Sequence, residues 1–582
     1  MRVATPAACL LLIALGVAVY QPGLGGPFVF DDLPNITRHA AVAVDELSVD
    51  ALRDAATSNG SGPLGRPLSA VSFAVTHHLA GGFEPRAFKS FNLAIHLANG
   101  VILLLLLRMW LTRSPALRAR APIRAPLGVA TAVALAWTLH PLQLTSVLYV
   151  VQRMTSLSAL FVLLGLWLWS LGRLRLAAGR SQGPALMLGG LAIGAGLGSL
   201  AKETALLFPL YALVAELWLM APPGARRPVA VRVFFGLALV APTAAGALWL
   251  AMNPEWLLRG YAGRDFTLAE RLLTEPRVVA EYAHWVLMPN LRELGLYHDD
   301  IVISQGWLTP PSSVLTALLL AFAAALAWHL RAALPLAGFG IAWFLAGHGL
   351  ESTLLPLEIA HEHRNYLPSL GLLLAAAAVL VESARGGMPR WIGIAAGLAA
   401  IGLLGTLTTL RAGQWADEGS LIEALVVTHP ASARSQSIAG EYALKRLGNR
   451  AQAAPHYCAA RMLAPQHLEH ALRVAALGFD PPCMALGAQR PIDERVAQDH
   501  LGPSAQALLT SLVDCSLCGR RWCARLERER LIGWLDRVGA RQDLSPARRD
   551  LRRAQRAALE VAARPAWCED APDPAAANRF RR

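Results

Sequence analysis

The chain contains 582 residues, of which 54% are hydrophobic and only 16% are charged. Soluble domains of ordinary composition carry roughly 25% charged residues, whereas stretches such as 101–107, 189–200 and 314–328 carry none here. The formal net charge is +13, but a basic balance in so apolar a chain does not by itself indicate nucleic-acid binding. The composition excludes a disordered, collagen-like or small disulfide-rich protein, and it predicts a membrane protein with several spans and a soluble part.

Apolar runs recur throughout the first 410 residues. A helix needs about 20 apolar residues to cross the hydrocarbon core, and several of these runs are shorter, so some segments are expected to be tilted or re-entrant. We predict an all-α membrane helix bundle over 1–410 and an α-helical C-terminal domain over 411–582. The eleven predicted spans are 7–20, 91–111, 128–140, 155–171, 184–200, 204–221, 233–251, 312–330, 335–349, 367–381 and 391–410.

The distribution of arginine predicts the orientation of the spans. If the N-terminus is cytoplasmic, the inside loops together hold 14 basic residues and one acidic residue, Glu382, as the positive-inside rule requires. The outside loops are then 22–90, 252–311 and 350–366, and eleven spans place the C-terminal domain outside. Arg2 and the apolar run after it resemble a signal peptide, but no small-residue cleavage site follows, so we expect a retained anchor.

The composition also indicates a source. Only three of the 53 basic residues are lysines, and this preference for arginine, together with the abundance of alanine, is typical of a GC-rich bacterial genome. The expected location is the bacterial inner membrane, with the N-terminus in the cytoplasm and the C-terminal domain in the periplasm.

Six of the seven cysteines lie in the C-terminal domain. In an oxidising compartment an even set predicts three disulfides, with 15 possible connectivities. If the domain were cytoplasmic, the spacing Cys515-x2-Cys518-x4-Cys523 would instead indicate a zinc site. The charge distribution favours the outside location, and with it the disulfides. The six cysteines are Cys458, Cys483, Cys515, Cys518, Cys523 and Cys568.

Residues 431–465 have the pattern of one degenerate tetratricopeptide-like unit. Small, aromatic, small and proline residues follow one another at the spacing that packs a second helix onto a first. The first-helix pattern is largely missing, and no second good repeat follows. The residues that carry the pattern are Ala453, Tyr457, Ala460 and Pro465.

Two adjacent carboxylates, Asp31 and Asp32, follow the first span directly after Phe28-Val29-Phe30. A carboxylate held near the headgroup plane by rigid neighbours is suited to act as a general base. The same stretch continues into Leu33-Pro34-Asn35, which is also good turn chemistry. The residues alone therefore leave a catalytic and a structural interpretation open.

Further polar residues occur where apolar packing is expected. His96 lies one helical turn after Asn92, and Arg153 lies at interface depth, where its planar fork suits a lipid-linked phosphate or the side chain simply extends to the headgroups. Lys202 lies in a tight apolar turn, where it pairs with Glu203 or binds phosphate.

Two polar runs complete the set. Residues 358–369 contain Glu362, Arg364 and Tyr366, but His361-Glu362-His363 does not have the spacing of a helical zinc site, so we assign no metal there. The long outside loop ends with Tyr297-His298-Asp299-Asp300.

In this order these segments resemble the GT-C class of integral-membrane glycosyltransferases, and most of all the transmembrane-and-tetratricopeptide-repeat protein O-mannosyltransferases and their bacterial relatives. The resemblance covers about residues 1–410 and the single repeat-like unit. It rests on Phe28-Val29-Phe30-Asp31-Asp32 with Asn35, Arg66-Pro67-Leu68, Asn92 with His96, His140-Pro141 with Arg153, Lys202-Glu203, and Arg364-Asn365-Tyr366-Leu367-Pro368-Ser369.

The resemblance implies transfer of a sugar from a polyprenyl-phosphate carrier to an acceptor at the outer face, with inversion at the anomeric carbon. Asp31 or Asp32 would be the catalytic base, and Arg153, Lys202 and above all Arg364 would bind the donor phosphate. The implied partners are the lipid-linked sugar, an acceptor protein or glycan, and membrane lipids, without nucleic acid. No resident cofactor is assigned, and a need for a divalent metal stays open. Supporting roles fall to Glu203, His96, His298, Asp299, Glu362 and Tyr366.

Repeat-type members of the family carry a long repeat array, whereas this chain has one degraded unit and six cysteines, so the sugar and the acceptor stay open. One alternative is an O-antigen-type glycan polymerase or ligase, although the acidic pair in the first loop favours transfer of a monosaccharide. The other is a transporter or a scaffold with a partner-binding tail. A transporter is expected to show inverted repeats and midplane charges, whereas the charges here gather at one face.

Overall fold

A computed structural model describes residues 4–568 of the chain, apart from 59, 61, 121–122, 223, 478–482, 484–491, 500, 524–525, 542–543, 545 and 562–567. The end of the predicted C-terminal domain, beyond 568, lies outside the described residues. Throughout the described part the regular structure is helical, and an isolated bridge between Gly306 and Thr309 is its one β-type pairing. The all-α prediction is therefore confirmed for the described residues.

Seven helices in the described part are long and apolar enough to cross a membrane. An eighth is counted if the bent pair Pro126–Thr138 and Pro141–Leu148, which meets at 52°, forms one span. A multi-pass membrane protein is thus supported. The seven helices are Ala4–Gly23, Pro85–Arg120, Val150–Ala177, Glu203–Met220, Val229–Met252, Ser312–Ala333 and Arg390–Gln414.

The predicted count of eleven spans is not confirmed. The remaining candidates do form helices, but Gly183–Leu197, Pro335–Gly347 and Ser369–Arg385 are shorter than the length needed to cross the hydrocarbon core unaided. Because the predicted outside location of the C-terminal domain depended on an odd number of spans, the orientation stays a prediction.

The first compact unit comprises residues 1–296 and 302–421. Small residues allow close helix packing within it: a Cβ on Gly165 would lie 2.6 Å from the carbonyl oxygen of Gly190, which is the close approach typical of membrane helices. Arg173 and the fully buried Glu216 form a bidentate ion pair, with N–O distances of 2.8 and 3.0 Å.

Shorter helices fill the two long loops of this unit. In the later loop, helix Leu268–Leu287 begins with a capping box formed by Thr267 and Glu270. The other helices of these loops are Val49–Ser58, Pro67–Ala80 and Pro254–Arg259, with a π-helical turn at Leu33–Thr37 and a 3-10 turn at Ala40–Val42. Elsewhere in the unit, 3-10 turns lie at Val150–Gln152, where a candidate span begins, and at Glu362–Asn365.

The second compact unit comprises residues 297–301 and 422–582. Its boundary lies inside helix Glu418–Thr428, eleven residues beyond the predicted one, and residues 297–301 join it from what was predicted to be a membrane-domain loop. Its helices are Ala433–Lys445, Arg450–Leu463, Leu468–Ala475, Ile492–Gln498, Pro503–Leu517, Arg528–Gly539 and Pro546–Val561.

The six cysteines of this unit form three disulfides, as predicted. The pairs are Cys458–Cys483, Cys515–Cys523 and Cys518–Cys568. All three cysteines of the 515–523 cluster, whose spacing alternatively suggested a zinc site, are therefore in disulfides: Cys515 with Cys523, and Cys518 with Cys568.

The predicted repeat-like unit contains a pair of packed helices, Ala433–Lys445 and Arg450–Leu463. Gly440 faces the ring of Tyr457, and a Cβ at this glycine would lie 2.5 Å from Cδ1 of the ring. Ala453 and Ala460 are fully buried, as the spacing predicts. A helix pair is therefore present, and its membership of a repeat family stays a prediction.

Candidate functional site

The two acidic residues after the first span have different environments. Asp32 is fully buried, and its carboxylate accepts hydrogen bonds from the backbone N–H groups of Val29 (3.1 Å) and Val151 (2.7 Å). Asp31 is exposed, and its backbone N–H donates to the hydroxyl of Tyr149 at 3.0 Å. The pair thus divides into a carboxylate that anchors the loop and one that faces solvent.

The backbone at this point adopts an unusual conformation. Phe30, the residue before Asp31, has φ of +50°, and Arg66 has φ of +49°; they are the two non-glycine residues with positive φ in the described part of the chain. Such conformations cost on the order of 1–3 kcal/mol and persist where the surrounding structure enforces them, often at functional sites. Both lie in segments that the sequence had singled out.

Burial raises the pKa of Asp32 to about 7, although the backbone donors and the nearby ammonium of Lys89 oppose the shift. Lys89 is fully buried itself, and its Nζ donates to the carbonyl oxygen of Gly23 at 3.3 Å. Sequence reasoning had not singled out Lys89.

One short segment contacts both the acidic loop and a group of basic residues. At its start Tyr149 and Val151 hold Asp31 and Asp32; at its end the hydroxyl of Thr155 accepts a hydrogen bond from Lys202 at 3.2 Å. The segment therefore links the acidic loop to Lys202 through directly bonded contacts at both of its ends.

The sequence suggested Glu203 as the partner of Lys202, and this pairing is wrong. Lys202 Nζ pairs with Glu351 at 3.1 Å, whereas Glu203 pairs with Arg66 at 3.0 Å. Lys202 is extended, with φ of −159° and ψ of 143°, and Glu203 begins a 3-10 helix. Side chains of neighbouring residues in extended backbone point to opposite sides, which separates these two.

Arg364 lies buried among the carbonyl groups of its own loop. Its two terminal nitrogens donate to the carbonyl oxygens of Ile359, at 2.7 Å, and Glu358. The loop is held from helix Leu268–Leu287, where Arg271 donates to four of its carbonyl groups and the Tyr282 hydroxyl accepts from the N–H of His361 at 2.8 Å.

A small cleft, partly open to solvent, lies beside Arg364. Burial tends to raise the pKa of Glu351, but Lys202 and Arg364 outweigh it and hold that pKa below its ordinary value. Of the charged side chains that line the cleft, Arg364 and Glu351 have opposite signs, and Lys202 contacts the lining residues Glu351 and Thr155. The polar residues of the lining include Thr155, Ser158, Thr204, Glu351, His363 and Arg364.

The surroundings of Arg153 indicate a structural role. Its guanidinium is fully buried and donates to the Asn92 side chain (2.6 Å), to the Thr76 hydroxyl (2.8 Å) and to the carbonyl oxygens of Ser72 and Phe88. These bonds hold helix Pro67–Ala80 against the start of helix Arg153–Ala177. A role for Arg153 in binding the donor phosphate therefore stays a prediction, and its existing hydrogen bonds do not favour that role.

Two of the predicted supporting residues share a buried hydrogen-bond network. The Tyr366 hydroxyl lies 2.7 Å from His96 Nδ1 and accepts from the Asn99 side chain at 3.0 Å, while His96 Nε2 lies 3.0 Å from the carbonyl oxygen of Thr138. Since a carbonyl oxygen only accepts, the proton of His96 is on Nε2, and Tyr366 donates to Nδ1. This network positions the end of the 350–366 loop.

The other supporting residues lie in separate environments. Glu362 is buried and forms an ion pair with Arg411 at 2.6 Å. His298 and Asp299 belong to the second unit, and Asp299 accepts hydrogen bonds from the Ser432 hydroxyl and the N–H of Arg434 there.

Sequence reasoning missed Glu351, Arg271 and Tyr149. The position of Glu351 at the end of an apolar run could have drawn attention to it, but nothing in the spacing connects Glu351 with Lys202, 149 residues earlier.

No protein-family model, curated protein or solved structure matches the chain.

Proposed function

We propose that the protein is a membrane glycosyltransferase that moves a sugar from a polyprenyl-phosphate carrier to a hydroxyl group, in the manner of the GT-C class that it resembles. The observation that supports this most is that one short segment, Tyr149–Thr155, contacts both the acidic loop, where Asp31 is exposed, and Lys202 beside the cleft that Arg364 lines.

Asp31 is the proposed general base. A base must reach the acceptor, and of the two acidic residues Asp31 is the exposed one. Asp32 is the proposed positioning residue, because both of its carboxylate oxygens accept bonds from backbone N–H groups. General base catalysis contributes typically 10²–10⁴-fold in rate, so the loss of Asp31 is expected to have an effect of that size.

Lys202 and Arg364 are the proposed partners of the donor phosphate. An ammonium group has three N–H donors; Lys202 uses two of them for Glu351 and Thr155, and the third is assigned to a phosphate oxygen. Arg364 contributes positive charge at the cleft wall. Fixed cations of this kind stabilise the negative charge that develops on a leaving phosphate.

The proposed reaction is a single displacement. Asp31 takes the proton of the acceptor hydroxyl, and the acceptor oxygen forms a bond to the anomeric carbon. The bond from that carbon to the phosphate oxygen breaks at the same time, and its electron pair leaves with the polyprenyl phosphate. The attack comes from the side opposite the leaving group, so the anomeric configuration inverts.

The proposed location is the bacterial inner membrane, with the N-terminus in the cytoplasm and the second unit in the periplasm. The three disulfides support this, because such bonds persist in oxidising compartments. The proposed partners are the lipid-linked sugar, membrane lipids and a protein acceptor.

The test is genetic complementation read by intact mass. The gene is deleted and replaced by wild type, Asp31→Asn or the control Asp50→Asn, at equal membrane levels, and the masses of periplasmic and secreted proteins are compared. Asp50 is an exposed acidic residue in the same loop. Deletion and Asp31→Asn are expected to remove a hexose- or pentose-sized mass that wild type and Asp50→Asn restore.

Three results would contradict different parts of the proposal. Full restoration by Asp31→Asn would refute the assignment of the base. The absence of any mass change on deletion would exclude the protein acceptors that this method detects, and loss of a glycan of many sugars would instead favour the polymerase or ligase.

A further inference from the structure

The second unit contains a cluster of two histidines and an aspartate that the proposed reaction does not use. His298, Asp300 and His429 each offer one ligand atom, and these atoms all lie within 4.8 Å of one another. His429 Nδ1 lies 2.9 Å from the Asp300 carboxylate, and the two imidazole rings meet edge-on with their centroids 4.8 Å apart. Both histidines are buried, whereas Asp300 is partly exposed.

The backbone holds these residues in place from both sides. His298 and Asp300 are two residues apart, and the residue between them, Asp299, accepts bonds from the Ser432 hydroxyl and the N–H of Arg434. Ser432 is itself the N-cap of helix Ala433–Lys445. Asp299 therefore attaches residues 298–300 to the start of this helix, close to His429. Its two neighbours, His298 and Asp300, contact His429.

The donor set identifies the chemical class of the ligand. Two imidazole nitrogens and one carboxylate oxygen suit zinc, whereas calcium and magnesium prefer sets made of oxygen alone. Zinc–nitrogen bonds of about 2.0–2.1 Å place tetrahedral ligands about 3.3 Å apart. The pair at 2.9 Å is already that close, and the third ligand needs a movement of about 1.5 Å at most.

We propose that His298, Asp300 and His429 form a zinc-binding site with a fourth position open to water. On binding, the metal takes the place of the proton between His429 Nδ1 and the Asp300 carboxylate. A neutral His429 then carries its single proton on Nε2 instead of Nδ1, so no net proton is lost. Asp300 provides the route from solvent because it is partly exposed. The site links residues 297–301 to the start of the helical pair through a metal.

The proposal is independent of the proposed glycosyl transfer, and its test measures binding. Full-length protein is purified in detergent, treated with a chelator and titrated with Zn²⁺ against a chromophoric zinc indicator, with elemental analysis of the product. We expect one zinc per chain and a rise in melting temperature of several degrees at saturation. Mg²⁺ and Ca²⁺ are expected to leave the melting temperature unchanged.

Three variants and a control separate binding from folding. His298→Ala and His429→Ala are expected to weaken zinc binding at least 100-fold. Asp300→Asn keeps an oxygen that can accept from His429 but removes the charge, so it is expected to weaken binding at least tenfold and to melt like wild type without metal. His456→Ala changes a histidine of the same unit that bonds to Gln436 instead, and it is expected to bind like wild type.

Equal zinc affinity in wild type and His298→Ala would overturn the proposal, as would binding of less than 0.1 zinc per chain by a wild-type protein that melts cooperatively. A loss of binding in His456→Ala equal to that in His429→Ala would also overturn it, because zinc would then bind elsewhere.

Discussion

The buried carboxyl of Asp32 predicts an unusual dependence of stability on pH. Its pKa is about 7 in the folded protein, against an ordinary value of 3.8, because burial disfavours the charged form. Between these two values the folded chain holds a proton that the unfolded chain has released. The free energy of unfolding therefore falls as the pH rises from about 4 to about 7, and it is level with respect to this group outside that window.

The size of the effect follows from the shift. About three pKa units correspond to about 4 kcal/mol, which is the stability that the wild type loses across the window. Asp32→Asn removes this slope, but it turns an amide donor toward one of the two backbone N–H groups, of Val29 or Val151. One buried donor is then unsatisfied, at a cost of about 1–3 kcal/mol.

The assay is thermal unfolding of purified protein in nanodiscs at pH 4.5 and pH 8. Relative to wild type, Asp32→Asn is expected to gain a few degrees on going from pH 4.5 to pH 8, whereas the exposed neighbour Asp31→Asn follows wild type at both. Melting curves of Asp32→Asn that run parallel to wild type over this range would refute the reasoning, because they would mean that Asp32 is ionised throughout.

Three further substitutions have expected outcomes. Tyr366→Phe removes the hydroxyl that bonds to two buried side chains, and we expect a loss of about 2 kcal/mol in stability, measured by thermal unfolding. Arg173→Met leaves the buried carboxylate of Glu216 with only its longer contact to Arg227, at 3.8 Å, and is expected to cost about 3–5 kcal/mol, much of which the double change with Glu216→Leu restores. Gly440→Ala brings a methyl group against the ring of Tyr457 and is expected to destabilise the second unit by about 1–3 kcal/mol, measured by limited proteolysis.

The last two of these substitutions have a matched control. Gly533→Ala adds a methyl group that meets open space in the same unit and is expected to be neutral or stabilising, so equal damage from both alanines would contradict the packing argument. A double variant at 173 and 216 that is as unstable as Arg173→Met alone would show that the buried charge is not the cause.

The sequence predicted features that depend on local pattern. Apolar runs predicted the helices, and the even set of cysteines predicted disulfides, because each of these follows from residue type and compartment. The span count failed where helices such as Gly183–Leu197 and Pro335–Gly347 are too short to cross a bilayer unaided, since hydropathy alone does not show whether a short apolar helix spans or is enclosed by its neighbours.

Partner choice over long distances could not be predicted. Lys202 pairs with Glu351 instead of the adjacent Glu203, and residues 297–301 join the second unit although they lie between two parts of the first. Spacing along the chain carries no information about such pairs, because they are decided by which surfaces meet after the helices pack. The burial of Asp32 and the exposure of Asp31 could not be predicted for the same reason, because they depend on the contact between Asp32 and Val151.

The segment Tyr149–Thr155 determines how the acidic loop and Lys202 are oriented relative to each other as well as how far apart they lie. From Val150 onward the segment is helical, first as a 3-10 turn and then as the α-helix that begins at Arg153. Each residue there is rotated by about 100–120° from the one before it, so the contacts of Val151 and Thr155 share one helical phase. Insertion of a single residue after Val151 would turn Thr155 about a quarter of a turn away from Lys202 while Asp32 stayed in place. The orientation of the acidic loop is therefore coupled to the position of Lys202, and the length of this segment is not free to vary by one residue at a time.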